Sequence, residues 1–301
     1  MCKENINHTH GKSTHTHPKL SNIRSNVYVE MFGEKEKNYD DENVKRIKDE
    51  IAIKGESIEL LLELTKALCL QFRYRDAIKV CDQILRIDSN NYQAKRIKAI
   101  RLLTTARLDE SLRLFEQLNK ESNDKLDIEY RIALCFFYKK EYKKAKDIFY
   151  SLFPLCQDNS EMYIAVLYWY LLSLMCLNEN IDKALNLYFE MDVGHHVGYD
   201  YAIKLFKGED AKYLEEKSKI DNLTNLIFLV GQYFFYEYKK ENKLAITALD
   251  KAYSCDEYWS SFSGLAIWYF KVKWNSKKCR ILLINSAFYV TNIFKRYLWI
   301  Q

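Results

Sequence analysis

The sequence predicts an all-α fold in which pairs of helices stack along a solenoid, and three observations support this prediction. The first is composition, because the 301 residues include only 8 glycines and 2 prolines, too few for turn-rich sandwiches, barrels or glycine-punctuated α/β folds. The second is an internal repeat, and the third is the helical spacing of apolar residues within each copy. With 48% hydrophobic and 29% charged residues, the chain is globular and long enough to bury a large core.

The repeat is visible in three segments, 73–85, 106–118 and 140–152, whose matching residues recur at a constant offset of 34 positions. In each segment a bulky residue, a small residue and two apolar residues follow one another at spacings of three and four, which places them on one face of a helix. The small residues of these helices are Ala77, Ser111 and Ala145. A preceding helix carries its own small residue at Thr65, Ala99 and Ala133. We expect paired helices to cross at these positions, because large side chains would hold them apart.

These copies resemble the tetratricopeptide repeat (TPR) family, whose unit is a 34-residue helix–turn–helix with small residues at the crossings. The resemblance is strong over 58–153 and looser for two later units around Ala184 and Ala245. It implies an all-α, right-handed α-α superhelix of about five helix pairs. The proline that usually closes a unit of this family is replaced here by Ser89 and Asn123, so the copies are divergent and the subfamily stays open.

The rest of the chain divides into segments around these repeats. We expect a disordered, histidine-containing head over 1–39 and a helix within 40–56 that covers the exposed edge of the first repeat. The TPR-like repeats occupy 57–192, and an irregular insertion of two short helices is predicted for 193–221. Further TPR-like helix pairs and a basic C-terminal helix are predicted for 222–301.

The resemblance also indicates where a partner binds. First helices form most of the inner wall of a TPR superhelix, and such a groove binds an extended peptide or a helix. The first-helix residues that point away from the buried stripes are therefore the candidates for partner binding. Those selected are Gln93, Arg96, Asp127, Tyr130, Trp169 and Phe234. The predicted function is a non-enzymatic protein–protein interaction scaffold whose partner is a protein or peptide.

The histidines are the other candidate functional residues. Four of the six lie in the head, and because clustered imidazoles bind late transition metals, His8, His10, His15 and His17 are candidate metal ligands. The alternative is a polar tail in which the His-Thr alternation has no role. His195 and His196 have no nucleophile or carboxylate placed beside them by any motif. The sequence predicts no catalytic residue, no metal site outside the head and no cofactor.

Charge leaves a second function open. The net charge of +5, from 46 basic and 41 acidic residues, is too balanced to predict nucleic-acid binding. After Glu257 the chain has seven basic residues and no acidic one. A basic amphipathic helix within 276–301 either packs as the closing helix of the solenoid or lies on the surface of an anionic membrane. The alternative function is therefore a peripheral membrane-associated adaptor that uses this helix.

The cysteines and the hydropathy pattern bear on location. The eight cysteines are widely scattered and form no C-x-x-C pair, which favours reduced thiols over a disulfide framework. No run reaches the roughly 18 consecutive apolar residues of a membrane span, and the first residues lack the apolar core of a secretory signal. A cytoplasmic location is therefore expected.

Overall fold

The computed structural model describes residues 40–254, 261–267 and 269–270. Within these ranges the chain forms α-helices and short 3-10 or π segments, and the described residues include no strand. The predicted all-α fold is confirmed. The histidine-containing head and the basic helix predicted within 276–301 lie outside the described residues.

The helices follow one another along the chain as α1 Glu42–Lys54, α2 Ile58–Leu70, α3 Tyr74–Ile87, α4 Tyr92–Thr104, α5 Leu108–Glu121, α6 Lys125–Tyr138, α7 Tyr142–Ser151, α8 Ser160–Cys176, α9 Asp182–Leu185, α10 Val197–Phe206, α11 Ala211–Ser218, α12 Asn222–Tyr238, α13 Asn242–Ser254 and α14 Phe262–Ile267. Two 3-10 helices span Phe153–Leu155 and Gly194–His196. Each helix from α2 to α7 packs on the next, and α12 packs on α13. The helix pairs are therefore α2/α3, α4/α5, α6/α7 and α12/α13, and α8 with the single-turn helix α9 occupies the place of the fourth pair.

One turn geometry joins the first helix of each pair to the second. It is a Schellman motif, in which the residue after the helix adopts a left-handed conformation and two backbone N–H groups close the last turn. At the first turn the Arg73 N–H donates to the Leu68 carbonyl at 3.0 Å, and the Phe72 N–H donates to the Cys69 carbonyl at 3.1 Å. The left-handed residues are Phe72, Ala106, Lys140, Asn178 and Lys240, with φ between 56° and 65°. Five copies of this turn confirm the predicted number of about five helix pairs.

Small residues lie at the helix crossings. The three predicted on first helices, Thr65, Ala99 and Ala133, have no exposed surface, and the same holds for Ala77, Ser111 and Ala145 on second helices. The Ser111 hydroxyl donates to the Ala99 carbonyl at 2.8 Å, across the α4/α5 crossing. A hydroxyl at this site is thus satisfied by the neighbouring backbone, as a buried polar group requires.

A covering helix protects the first pair. The Asp41 side chain caps α1 by accepting from the Val44 N–H at 2.8 Å, and Gly55 ends the helix with φ 87°. Val44 and Ile47 are buried in a hydrophobic cluster shared with α2 and α3. A second, larger cluster runs from Ala99 to Tyr269 and joins the later pairs.

Two short helices, α10 and α11, lie in the stretch predicted to be irregular. Helix α10 packs on α8 and α12. A Cβ atom added to Gly231 would lie 2.6 Å from the Cβ of Ala202, and one added to Gly198 would lie 2.7 Å from the Thr224 carbonyl oxygen. Because neither site leaves room for a side chain, glycine lets α10 and α12 approach closely.

The fourth pair differs from the expected unit. Its second helix, α9, is a single turn, and the chain continues without helix from Asn186 to Val193. Tyr188, in this non-helical stretch, donates its hydroxyl to the buried Asp200 carboxylate of α10 at 2.8 Å. Tyr188 thus joins the non-helical stretch after α9 to the inserted helix α10.

Replacing Ala133 by tryptophan tests the crossings. Ala133 is fully buried, so we expect Ala133→Trp to lower the free energy of unfolding by about 1–3 kcal/mol or more through overpacking. Chemical denaturation followed by circular dichroism measures this. Ala52→Trp, on the exposed side of α1, is the matched control and should change stability by less than about 0.5 kcal/mol. Equal free energies of unfolding for Ala133→Trp, Ala52→Trp and the wild type would contradict the assigned packing.

A single alanine-to-glycine change tests the turns. Ala106 has φ 63°, a conformation that costs a non-glycine residue about 1–2 kcal/mol. We expect Ala106→Gly to raise stability by about 0.5–1 kcal/mol after the entropy lost by glycine is deducted. The same change at Ala52, inside α1, should lower stability by about 1 kcal/mol. Thermal melts of the two variants should move in opposite directions, and a destabilised Ala106→Gly variant would argue against the left-handed turn.

Candidate functional site

The six candidate groove residues lie on four first helices, and their exposure falls along the chain. Gln93 on α4 is exposed, and the side chain of Arg96 is 36% exposed. Tyr130 on α6, Trp169 on α8 and Phe234 on α12 are only 5%, 0% and 5% exposed. The surface formed by these helices, called here the first-helix face, is open only in its N-terminal part.

Arg96 is held by an acidic residue of the next pair. Its Nε and Nη2 atoms donate to one carboxylate oxygen of Asp127 at 3.0 and 2.8 Å. Arg131, one turn further along α6, donates to the other oxygen of the same carboxylate. Asp127 therefore links α4 to α6, and the Arg96 guanidinium meets a ligand only as part of this ion pair.

A segment near the C-terminal end of the described residues covers Tyr130. The rings of Tyr130 and Phe262 meet edge to face, with centroids 6.0 Å apart. The Tyr138 hydroxyl donates to the Phe262 carbonyl at 2.7 Å, and the Tyr138 ring stacks on Tyr269 at 5.6 Å. These contacts join α6 to residues more than a hundred positions later in the chain.

The same segment also reaches the turn after α4 and helix α12. The Tyr269 hydroxyl donates to the carbonyl of Ala106 at 3.3 Å, at the turn of the second pair. The Phe270 ring lies 4.9 Å from that of Phe234 on α12. Residues 261–267 and 269–270, called here the closing segment, thus contact the first-helix face from the turn after α4, through α6, to α12.

The expectation that Tyr130, Trp169 and Phe234 face a ligand is therefore corrected. All three are buried by the chain itself. Phe262 packs on Tyr130, and Phe270 packs on Phe234. The rings of Phe137 and Tyr138 on α6 pack on Trp169. Sequence reasoning missed Tyr138 and Phe262, which make the closing hydrogen bond. The signal available was the density of aromatic residues from Phe262 to Phe270, in a stretch interpreted only as one more helix.

Tyrosine hydroxyls beneath the closing segment are buried and structural. Burial raises the pKa of Tyr130 well above its ordinary value and raises that of Tyr199 to about 12. The Tyr168 hydroxyl donates to the Ile227 carbonyl at 3.1 Å. These groups stay protonated at neutral pH and act as hydrogen-bonding members of the core.

The histidine pair and the buried cysteines have equally structural surroundings. The Nδ1 atom of His196 lies 3.7 Å from a carboxylate oxygen of Glu161, and burial lowers the pKa of His196 so that the ring is neutral at pH 7. Burial raises the pKa of the Cys81 and Cys135 thiols to about 12. A thiol with so high a pKa is not a nucleophile at neutral pH.

Metal ligation and membrane spanning are two further features that bear on function. Across residues 40–254, 261–267 and 269–270 no group of three or more potential ligands surrounds a metal-sized space. The candidate ligands His8, His10, His15 and His17 lie outside these ranges. None of the helices in the described part of the chain is both long enough and apolar enough to cross a bilayer.

These features define a divergent, TPR-like helix-pair solenoid. No family model matches the sequence, and no curated protein does. Among solved structures, YrrB, a TPR protein with an unusual peptide-binding site, is 15% identical, with 70% of this chain and 93% of that chain covered and a TM-score of 0.41. A crystal structure of the nearly identical TPR-like repeats of a putative kinesin light chain from Podosopora anserina is 13% identical, with 72% and 97% covered and a TM-score of 0.42.

Removing one hydroxyl tests the closing segment. We expect Tyr138→Phe to lower the free energy of unfolding by about 1 kcal/mol, because the Phe262 carbonyl loses its donor, and to speed amide hydrogen exchange in 262–267. The matched control is Tyr163→Phe, which removes a similar bond to the Leu187 carbonyl. That variant should leave exchange in 262–267 unchanged. Equal exchange in Tyr138→Phe and wild type would mean that the segment is held by other contacts.

Proposed function

We propose that this protein is a non-enzymatic scaffold that binds a peptide or a helix of another protein on the open part of its first-helix face. The observation that carries the proposal is the contrast within that face: its C-terminal part is buried by other parts of the chain, the closing segment among them, whereas its N-terminal part faces solvent. A stack of helix pairs presents a long, continuous surface of this kind.

The open groove consists of six residues on α2 and α4. Three are exposed and polar, and the others are half-buried, with two of them apolar. They are Glu59, Leu62, Lys66, Gln93, Arg96 and Ile100. Half-buried apolar side chains beside exposed polar ones suit an amphipathic helix or an extended peptide, which presents apolar and polar groups together.

The non-enzymatic role is supported by where the reactive groups lie. Cys81 and Cys135 are buried away from the open groove with raised pKa values, and His196 is neutral beside Glu161. None of these groups faces the open groove together with a partner for acid–base or nucleophilic chemistry. A cytoplasmic location belongs to the same proposal and follows from the sequence pattern of the cysteines.

A pair of matched variants tests the scaffold proposal. The groove variant combines Glu59→Ala, Lys66→Ala and Gln93→Ala, which change exposed side chains only. Affinity purification of the full chain with quantitative mass spectrometry should show a partner that the wild type retains and the groove variant loses by about fivefold or more. Circular dichroism should show both proteins equally folded.

The control variant changes three exposed cationic residues on second helices, Lys79→Ala, Arg113→Ala and Lys143→Ala. We expect it to keep the partner. If this variant loses the partner while the groove variant keeps it, the second-helix surface carries the interaction and the groove proposal is wrong.

A second candidate is the membrane-associated adaptor, favoured by the run of seven basic residues after Glu257 with no acidic residue among them. Segment 276–301 lies outside the described residues, so this function rests on sequence alone. Cosedimentation of the full chain with anionic vesicles should fall when 276–301 is deleted. Equal cosedimentation of both proteins would exclude that segment as the anchor.

A further inference from the structure

A group of aromatic side chains lies at the junction of the third and fourth pairs. Neighbouring rings have centroids 5.3 to 6.1 Å apart, so that they form a continuous series. In order of contact the rings are Tyr170, Tyr150, Phe153, Tyr163 and Phe189, called here the aromatic patch. Tyr150 and Phe189 are 59% and 56% exposed, so the patch faces solvent at both α7 and the segment after α9.

The repeat itself shows that the aromatic residue on α7 is not a packing requirement. Tyr150 lies 34 positions after Glu116 and 68 after Asp82, at the same place on the second helix of each pair. In pairs one and two this place carries an acidic side chain. A large ring at a position that the fold otherwise fills with a charge indicates a contact surface.

The shortened helix α9 creates the other half of the patch. Because α9 ends at Leu185, residues 186–193 cross α8 without helix, and the Tyr163 hydroxyl donates to the Leu187 carbonyl at 2.8 Å. This brings Phe189 onto the Tyr163 ring, with centroids 5.4 Å apart. A full-length second helix would have taken Phe189 along a different path.

The stretch of chain that carries the patch is acidic. Between positions 147 and 193 the chain carries seven acidic residues and one basic residue, Lys183. The acidic residues are Asp147, Asp158, Glu161, Glu179, Asp182, Glu190 and Asp192. Lys146 pairs with Glu179 at 2.9 Å and Lys204 pairs with Glu190 at 3.3 Å. With these two lysines included, seven acidic residues stand against three basic ones, in a chain whose net charge is +5.

We propose that the aromatic patch binds an arginine-bearing segment of a partner protein. A guanidinium group stacks on aromatic faces and pairs with carboxylates, and it is less strongly hydrated than an ammonium group. Arginine is complementary both to the exposed rings, by stacking, and to the carboxylates, by charge. Lysine is complementary mainly to the charge. The proposal does not depend on the open groove, because the patch lies on α7, on α8 and after α9.

The test uses the full chain and a fluorescein-labelled peptide of four Arg-Ser-Gly repeats. Fluorescence anisotropy gives the affinity of this peptide and of two counterparts in which every arginine is replaced by lysine or by citrulline. Citrulline keeps the planar shape but carries no charge. We expect the lysine peptide to bind about threefold more weakly or worse, and the citrulline peptide to lose binding, because arginine alone both stacks and pairs.

Variants locate the binding. Tyr150→Ala and Phe189→Ala should each weaken the arginine peptide by about fivefold or more. The matched control is Tyr213→Ala, which removes a ring of the same 56% exposure on α11, outside the patch. Tyr213→Ala and the groove variant should bind like wild type, so failure of this proposal is distinguishable from failure of the groove proposal.

Three results would overturn the inference. Equal binding of the lysine and arginine peptides would mean that nonspecific charge attraction accounts for the affinity, without stacking on the rings. Equal loss in Tyr213→Ala and Tyr150→Ala would place binding elsewhere. If no peptide binds, and light scattering shows a dimer that Tyr150→Ala or Phe189→Ala dissociates, a second copy of the chain covers the patch.

Discussion

The close approach of paired helices at small residues is the constraint on which the rest of the structure depends. Ala99 and Ala133 allow first and second helices to cross without a side chain between them, and the Ser111 hydroxyl uses the short distance to reach the Ala99 carbonyl. Each pair buries its apolar stripe only against its neighbours. A crossing that opened in one pair would therefore expose apolar surface in the next.

The closing segment converts part of a repeat array into a single core. In an open solenoid the groove-lining side of each first helix stays in solvent. Here Phe262 and Tyr269 pack on α6 and join pairs that are distant in sequence. The edge-to-face and parallel aromatic contacts of this segment stabilise the fold by more than the buried apolar area alone would. Its functional consequence is that the proposed open groove is confined to the first two pairs.

The two proposed surfaces differ in their chemistry and in their origin. The open groove on α2 and α4 arises from regular repeats and combines apolar and charged positions of both signs. The aromatic patch arises from an irregularity, because α9 is only one turn long and residues 186–193 cross α8 outside any helix. The acidic stretch that carries it contrasts with the positive net charge of the chain. A scaffold with two such surfaces would hold two unlike partner segments at once.

The sequence by itself determined the helix pairs, their period and the crossing residues, because helical spacing and the need for small side chains are local properties. It also placed the candidate groove residues on first helices. Only the tertiary structure decided that Tyr130 and Phe234 are covered by the closing segment, which follows Tyr130 by more than a hundred residues. The period of a repeat specifies contacts between adjacent units, whereas a contact between distant units depends on the curvature accumulated along the whole array.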